Sequence, residues 1–154
     1  VLSCIDSRVP VEMIFDQYIG DIFVARVAGN FENPDILGSM EYACAVAGSK
    51  LIVVLGHASC GAVKAACDGV ELGHITDLLA SIQPAVDKVQ AAMQSTPTSK
   101  DADFVNATIA ENVRLTMGRI LEKSSILKEL HSAGTIDVVG GVYQLDSGEV
   151  TWLD

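Results

Sequence analysis

A histidine and a cysteine two residues apart, His57 and Cys60, follow directly on the apolar run Leu51-Ile52-Val53-Val54-Leu55. An imidazole and a thiolate at this spacing can supply two ligands to a divalent metal such as zinc. Two ligands make a weak site, and the best candidate for a third is Cys4, at the start of the chain. Cys4, His57 and Cys60 together form a set of two sulfurs and one nitrogen. Three protein ligands with one coordination position left over is the pattern of a catalytic zinc site rather than a closed structural one. Cys4, Asp6 and Arg8 alternate along the chain, so an extended backbone turns all three to the same side. Taken singly, these residues read as a buried cysteine beside a surface ion pair. The combination is what points to chemistry.

The elements needed to gather these residues can be read from the pattern around them. The apolar run 51–55, mostly β-branched, predicts a strand buried on both faces, as in a parallel sheet. Gly56 breaks it and Ala62-Val63-Lys64-Ala65-Ala66-Cys67 favours helix, so His57 and Cys60 sit where a strand ends and a helix begins. Ligands bind at that edge of an α/β sheet, and a helix N-terminus there favours a thiolate over a thiol. Val1 to Cys4 predicts an opening strand, and Asp21 to Arg26 a second one; a short helix over Val11 to Gln17 lies between them. Pro34 to Gly48 predicts a loop and then a helix. Cys44, like Cys67, reads as a small buried hydrophobe.

After a turn at Gly69 to Gly73, with His74 solvated, Ile75, Leu78, Leu79, Ile82, Val86 and Val89 mark an amphipathic helical stretch. Pro84 kinks it or begins a fresh helix. Ser95 to Lys100 is the clearest loop, Phe104 to Lys123 a long helix, and Ser124 the cap of a short helix ending at Gly134. His131, in the last turn of that helix, is given no catalytic role. Strands at Thr135 to Tyr143 and Glu149 to Leu153, joined by Asp146-Ser147-Gly148, form an antiparallel hairpin.

Composition narrows the function classes. At 154 residues, 49% hydrophobic and 19% charged, the chain reads as a single domain over 1–154, either compact or with much surface buried against partner subunits. A net charge of -10 argues against nucleic acid or an anionic membrane as partner. No apolar run approaches the ~20 residues needed to cross a bilayer. Four cysteines are too few for a disulfide scaffold and point to a reducing, cytoplasmic compartment. The chain opens inside a strand, so further N-terminal residues are expected to precede Val1.

Cys4-x-Asp6-x-Arg8, Arg26-Val27-Ala28-Gly29-Asn30, Glu41-Tyr42 and Gly56-His57-x-x-Cys60-Gly61 occur in that order. With them, the sequence from Val1 to Gly140-Gly141-Val142-Tyr143 resembles the β-class carbonic anhydrases. The resemblance implies an α/β fold with a mostly parallel central sheet in the order 2-1-3-4-5, its last strand antiparallel, flanked by helices. N-terminal helices that pack on a neighbouring subunit would precede Val1. One Zn2+ per chain is implied at Cys4, His57 and Cys60, with reversible hydration of carbon dioxide to bicarbonate and a proton, in a homodimer or homotetramer. Asp6 and Arg8 would be the catalytic pair. Asp6 accepts a hydrogen bond from the attacking hydroxide while Arg8 holds it, or Asp6 swings onto the metal and closes the site.

Phe23, Ala28, Tyr42 and Gly61 are assigned to the substrate cleft by the same resemblance. Some members carry a bicarbonate pocket built around a Trp, an Arg and a Tyr. Arg26 and Tyr143 could fill two of those roles, but Val1 stands at the Trp position, so this chain is expected to lack the pocket and favour the open site. Two thiolates neutralise the metal's charge, so its water should be less acidic than the pKa of about 7 found with three histidines. Activity should then rise with pH above neutrality. Two other readings keep the metal: hydrolysis of carbonyl sulfide or carbon disulfide on the same fold, and a non-catalytic zinc-stabilised assembly protein.

Overall fold

The computed structural model describes residues 1–93 and 97–154. Strand β3 (Leu51–His57) is buried from Ile52 to His57, as its continuous apolar run requires. It lies third in a five-stranded sheet of order β2-β1-β3-β4-β5, with β1 at Leu2–Ser3, β2 at Ala25–Arg26, β4 at Asp137–Tyr143 and β5 at Val150–Leu153. β1 pairs in parallel with β2 and β3, β3 pairs in parallel with β4, and β5 closes the edge antiparallel. The expected order and the direction of the last strand are those observed.

Among the described residues, seven α-helices flank the sheet: α1 (Val11–Ile14), α2 (Pro34–Glu41), α3 (Gly61–Cys67), α4 (His74–Ala80), α5 (Gln83–Met93), α6 (Ala102–Lys123) and α7 (Ser125–Ser132). A wider helical turn, Tyr42–Val46, continues α2. Asn33, Asp101 and Ser124 cap α2, α6 and α7 by accepting from Ile36, Phe104 and Leu127 N–H at 2.9, 3.1 and 3.1 Å. Each such cap contributes about 1 kcal/mol.

Three elements depart from expectation. β2 has two ladder residues rather than the six of Asp21 to Arg26, because the chain just before it is folded into a turn. Asp21 Oδ2 accepts from Tyr18 N–H at 2.8 Å, and Gly20 is left-handed. The helix at Val11 ends at Ile14, where Asp16 turns left-handed. The stretch from Ile75 to Val89 is two helices, with Pro84 in the first turn of α5, where its missing N–H costs nothing. Of the loop expected from Ser95 to Lys100, Ser95 and Thr96 lie outside the described residues, and 97–100 is irregular and leads into the Asp101 cap.

Helix α6 lies directly on the sheet. A Cβ at Gly56 would sit 2.8 Å from Val113 Cγ2, and one at Gly140 only 2.6 Å from Val113 Cγ1. Glycine at these two strand positions is what lets the helix backbone approach. Leu2, Val54, Val113, Ile120 and Leu127 form the core beneath α6 and α7, while Val9, Val11, Val53 and Leu55 form a smaller cluster of their own. The strand that delivers His57 is therefore clamped by packing just before it ends.

Candidate metal centre

β1 and β3 are parallel neighbours, with Ser3 level with Leu55, so their C-terminal ends finish side by side. Cys4 follows β1 directly and His57 is the last residue of β3. Ser59 then takes a left-handed conformation (φ 56°), which turns the chain sharply enough for Cys60 to face back as the first residue before α3. A non-glycine residue held there costs about 1 kcal/mol. The result is that one ligand atom from each of Cys4, His57 and Cys60 lies within 4.8 Å of the others. All three residues are buried, at 4%, 0% and 1% exposure.

The histidine is set up as a ligand. Its Nδ1 lies 2.9 Å from the Ala58 carbonyl oxygen, which can only accept, so Nδ1 carries the hydrogen. The Nε2 lone pair then points at the sulfurs, buried and without a hydrogen-bond partner among the described residues. An orphaned buried polar atom costs about 1–3 kcal/mol. A zinc ion fits this donor set chemically, since two thiolates and a neutral imidazole are its ordinary ligands. The Cys4 thiol is drawn down to about 4, first by its hydrogen bond with Cys60, then by His57 and the Gly29 and Asp6 backbone, against the opposing effect of burial. The facing Cys4 sulfur, followed by burial, pushes the Cys60 thiol up. The two sulfurs thus favour one thiolate between them, the charge a divalent cation would meet.

Asp6 stands at the rim. Arg8 grips it with two parallel bonds, Nε to Oδ1 at 2.9 Å and Nη2 to Oδ2 at 2.7 Å, and its backbone N–H adds a third at 2.9 Å. These bonds hold the Asp6 carboxyl well below the usual carboxylate range. Its Oδ2 reaches to 3.9 Å from His57 Nε2. Arg26, beside Ser3 in the parallel register, donates to the Cys4 carbonyl at 2.8 Å and to the Asp6 carbonyl at 2.6 Å. It thus fixes the backbone on which a ligand and the carboxylate are carried.

A family model described as carbonic anhydrase matches residues 1–150. The chain belongs to the β-carbonic anhydrase family. Carbonic anhydrase 2 of Mycobacterium tuberculosis is 38% identical over all of this chain and 73% of its own length. Among solved structures, one of two tetrameric β-carbonic anhydrases from Sordaria macrospora superposes with a TM-score of 0.87 at 26% identity, covering 99% of this chain and 78% of that one. A Coccomyxa β-carbonic anhydrase in complex with acetazolamide gives 0.88 at 26%, covering 99% and 69%.

Within this β-carbonic anhydrase chain, the residues assigned to the cleft divide into two groups. Ala28 precedes Gly29, whose N–H donates to Cys4 Sγ at 3.4 Å, and Gly61 opens α3 directly after Cys60. Both adjoin the metal centre. Phe23 and Tyr42 do not: they line an apolar groove of about 1120 Å³ together with Val1, Met40, Leu51 and Trp152. The Phe23 carbonyl accepts from the Val1 amino group at 2.8 Å, which puts Phe23 level with the start of β1 while Cys4 follows its end. One chain alone does not bring them to Cys4, His57 and Cys60. Arg26, considered for an anion pocket, directs its guanidinium to two carbonyls instead. That role was missed because its acceptors are main-chain atoms; only the β1–β2 register reveals it.

Proposed function

We propose that this chain is a zinc enzyme that reversibly hydrates carbon dioxide to bicarbonate and a proton. The observation that carries the reading is the convergence of two sulfurs and an unpartnered imidazole nitrogen within 4.8 Å. One zinc ion per chain would be held by Cys4, His57 and Cys60. When bound, zinc supplies Lewis acidity that lowers the pKa of a coordinated water and so provides a nucleophile near neutral pH.

The chain's own residues do the rest. Asp6, kept ionised by Arg8, can only accept a hydrogen bond, so it selects an O–H at the centre and orients it. Arg8 fixes the carboxylate plane through its two parallel bonds, and Arg26 fixes the strand end beneath. The Gly29 N–H stabilises negative charge on Cys4 Sγ. Burial of all three ligand residues keeps bulk water from their donor atoms.

The active form is a homo-oligomer, dimer or tetramer. Phe23, Tyr42, Leu51 and Trp152 are each half exposed around one groove, and a cluster of exposed large apolar side chains is the kind of surface that a second subunit covers. Stopped-flow hydration of carbon dioxide across pH, with zinc content measured on the same sample, tests the whole reading. One zinc per chain and turnover rising above neutral pH are expected. Full zinc loading without turnover would overturn the catalytic reading.

A further inference from the structure

Asn112 is 1% exposed, halfway along α6 on its buried face, between the core residues Ile109 and Val113. Its Nδ2 donates to the Gly29 carbonyl at 2.8 Å across 83 positions of sequence, while its Oδ1 has no partner among the described residues. Only the amide nitrogen can face a carbonyl, which fixes its orientation. An apolar residue would fill this place without leaving half an amide unsatisfied. Attachment of the helix does not depend on it: Val113 packs against Gly56 and Gly140, and Arg119 and Lys123 hold Glu32 at 2.8 and 2.7 Å.

What Asn112 does hold is Gly29, whose N–H meets Cys4 Sγ at 3.4 Å. Gly29 is left-handed (φ 82°), followed by a second left-handed residue, Asn30 (φ 44°). A side chain at Gly29 is excluded twice over, since its Cβ would lie 2.5 Å from Ile82 Cδ1. Glycine is also the residue freest to rotate. Its two peptides are held on both sides: the preceding N–H by the sulfur, and the following peptide by Asn112 on its carbonyl and by Val27 O, which accepts from Asn30 N–H at 2.9 Å.

We infer that Asn112 is a positioning residue of the metal centre, holding Gly29 so that its N–H stays on the Cys4 sulfur. The inference rests on the reading of Cys4, His57 and Cys60 as a metal site. A hydrogen bond on a metal thiolate draws electron density from the sulfur, weakens its donation and leaves the ion a stronger Lewis acid. With two thiolate ligands neutralising the metal, this donor acts against that loss.

The test uses the full chain loaded with cadmium-113, recording coupling between the metal and the Gly29 amide proton by NMR, alongside zinc affinity by chelator competition. The wild type should take up one cadmium per chain and show the coupling. Asn112→Ala should lose it and bind zinc about tenfold differently, the ordinary scale for a group one step behind a ligand. Thr108→Val, which removes a buried hydroxyl bonded to Phe104 O on the same helix, should change stability and neither readout. Asn112→Asp, of matching volume but without the amide donor, is read in the same way as Asn112→Ala. A coupling absent from the wild type, coupling and affinity unchanged in the variants, or both variants failing to fold would each overturn the inference. A wild type that binds no cadmium or zinc sinks the metal reading itself.

Discussion

The two ends of the central sheet are built on opposite principles. At the C-terminal end, Cys4, His57 and Cys60 are buried, Asp6 is held by three bonds from Arg8, and Arg26 ties down two carbonyls. Each important group is fixed by another group of the same chain. Toward the N-terminal end, Phe23, Tyr42 and Leu51 stand around an open groove that Trp152, from the edge strand, also lines, with roughly half of each side chain in water. One end is preorganised within the chain, as chemistry requires. The other is an apolar surface awaiting cover, as association requires. The division implies that damage at one end should remove metal or turnover without touching assembly, and damage at the other should do the reverse.

The sharpest way to break that separation is at the ligands. Cys60→Ser should abolish stoichiometric zinc and with it most turnover, by metal analysis and stopped-flow assay on one sample. Cys67→Ser, seven residues on and likewise buried, should leave zinc at one per chain. Zinc retained in Cys60→Ser would remove that sulfur from the site. The next effect in size is at the rim. Asp6→Ala should keep its zinc and lose about ten- to a hundredfold in rate; unchanged turnover would rule out a part for the carboxylate.

At the opposite end, Phe23→Asp places a charge in the groove and should raise the dissociation constant of the assembly at least about tenfold, the scale of a central aromatic contact. Sedimentation velocity reads it. Zinc content should stay at one per chain, and a loss of zinc would show that the two ends are coupled.

How far the sequence foretold each end follows from what kind of signal each carries. β3 was legible because burial on both faces leaves an uninterrupted apolar run, and the convergence of Cys4, His57 and Cys60 was legible because His57-x-x-Cys60 sits at its end. The brevity of β2 was not. Val24 and Ile22 are apolar enough for a strand, and only the turn closed by Asp21 and Tyr18 shortens it. Arg26 and Asn112 escaped because each bonds to main-chain oxygens, and a carbonyl has no residue type to recognise. Phe23 and Tyr42 carried a positional match but no distance. Val1 to Cys4 is three steps of extended chain, about 10 Å, and that length separates the groove from the metal ligands in one chain.

The smallest expected effect separates holding a carboxylate from supplying one. Arg8 is more than half exposed, so its long-range field at Asp6 is screened, and its influence runs through the hydrogen bonds. The folded pKa of Asp6 is depressed. The stabilisation from the pair is therefore complete above the unfolded value of about 3.9 and is lost as pH falls through the folded one. In Arg8→Leu the folded value should move back up toward the ordinary range, so that Asp6 protonates at higher pH than in the wild type. Carbon-13 NMR of the Asp6 carboxyl in the zinc-loaded protein measures this directly. Turnover above neutral pH should fall less than in Asp6→Ala, because the carboxylate is still present and ionised there, only less well aimed. A midpoint unmoved by Arg8→Leu would mean that Arg8 orients Asp6 without setting its charge, and the acidity would then belong to His57 and the metal beside it.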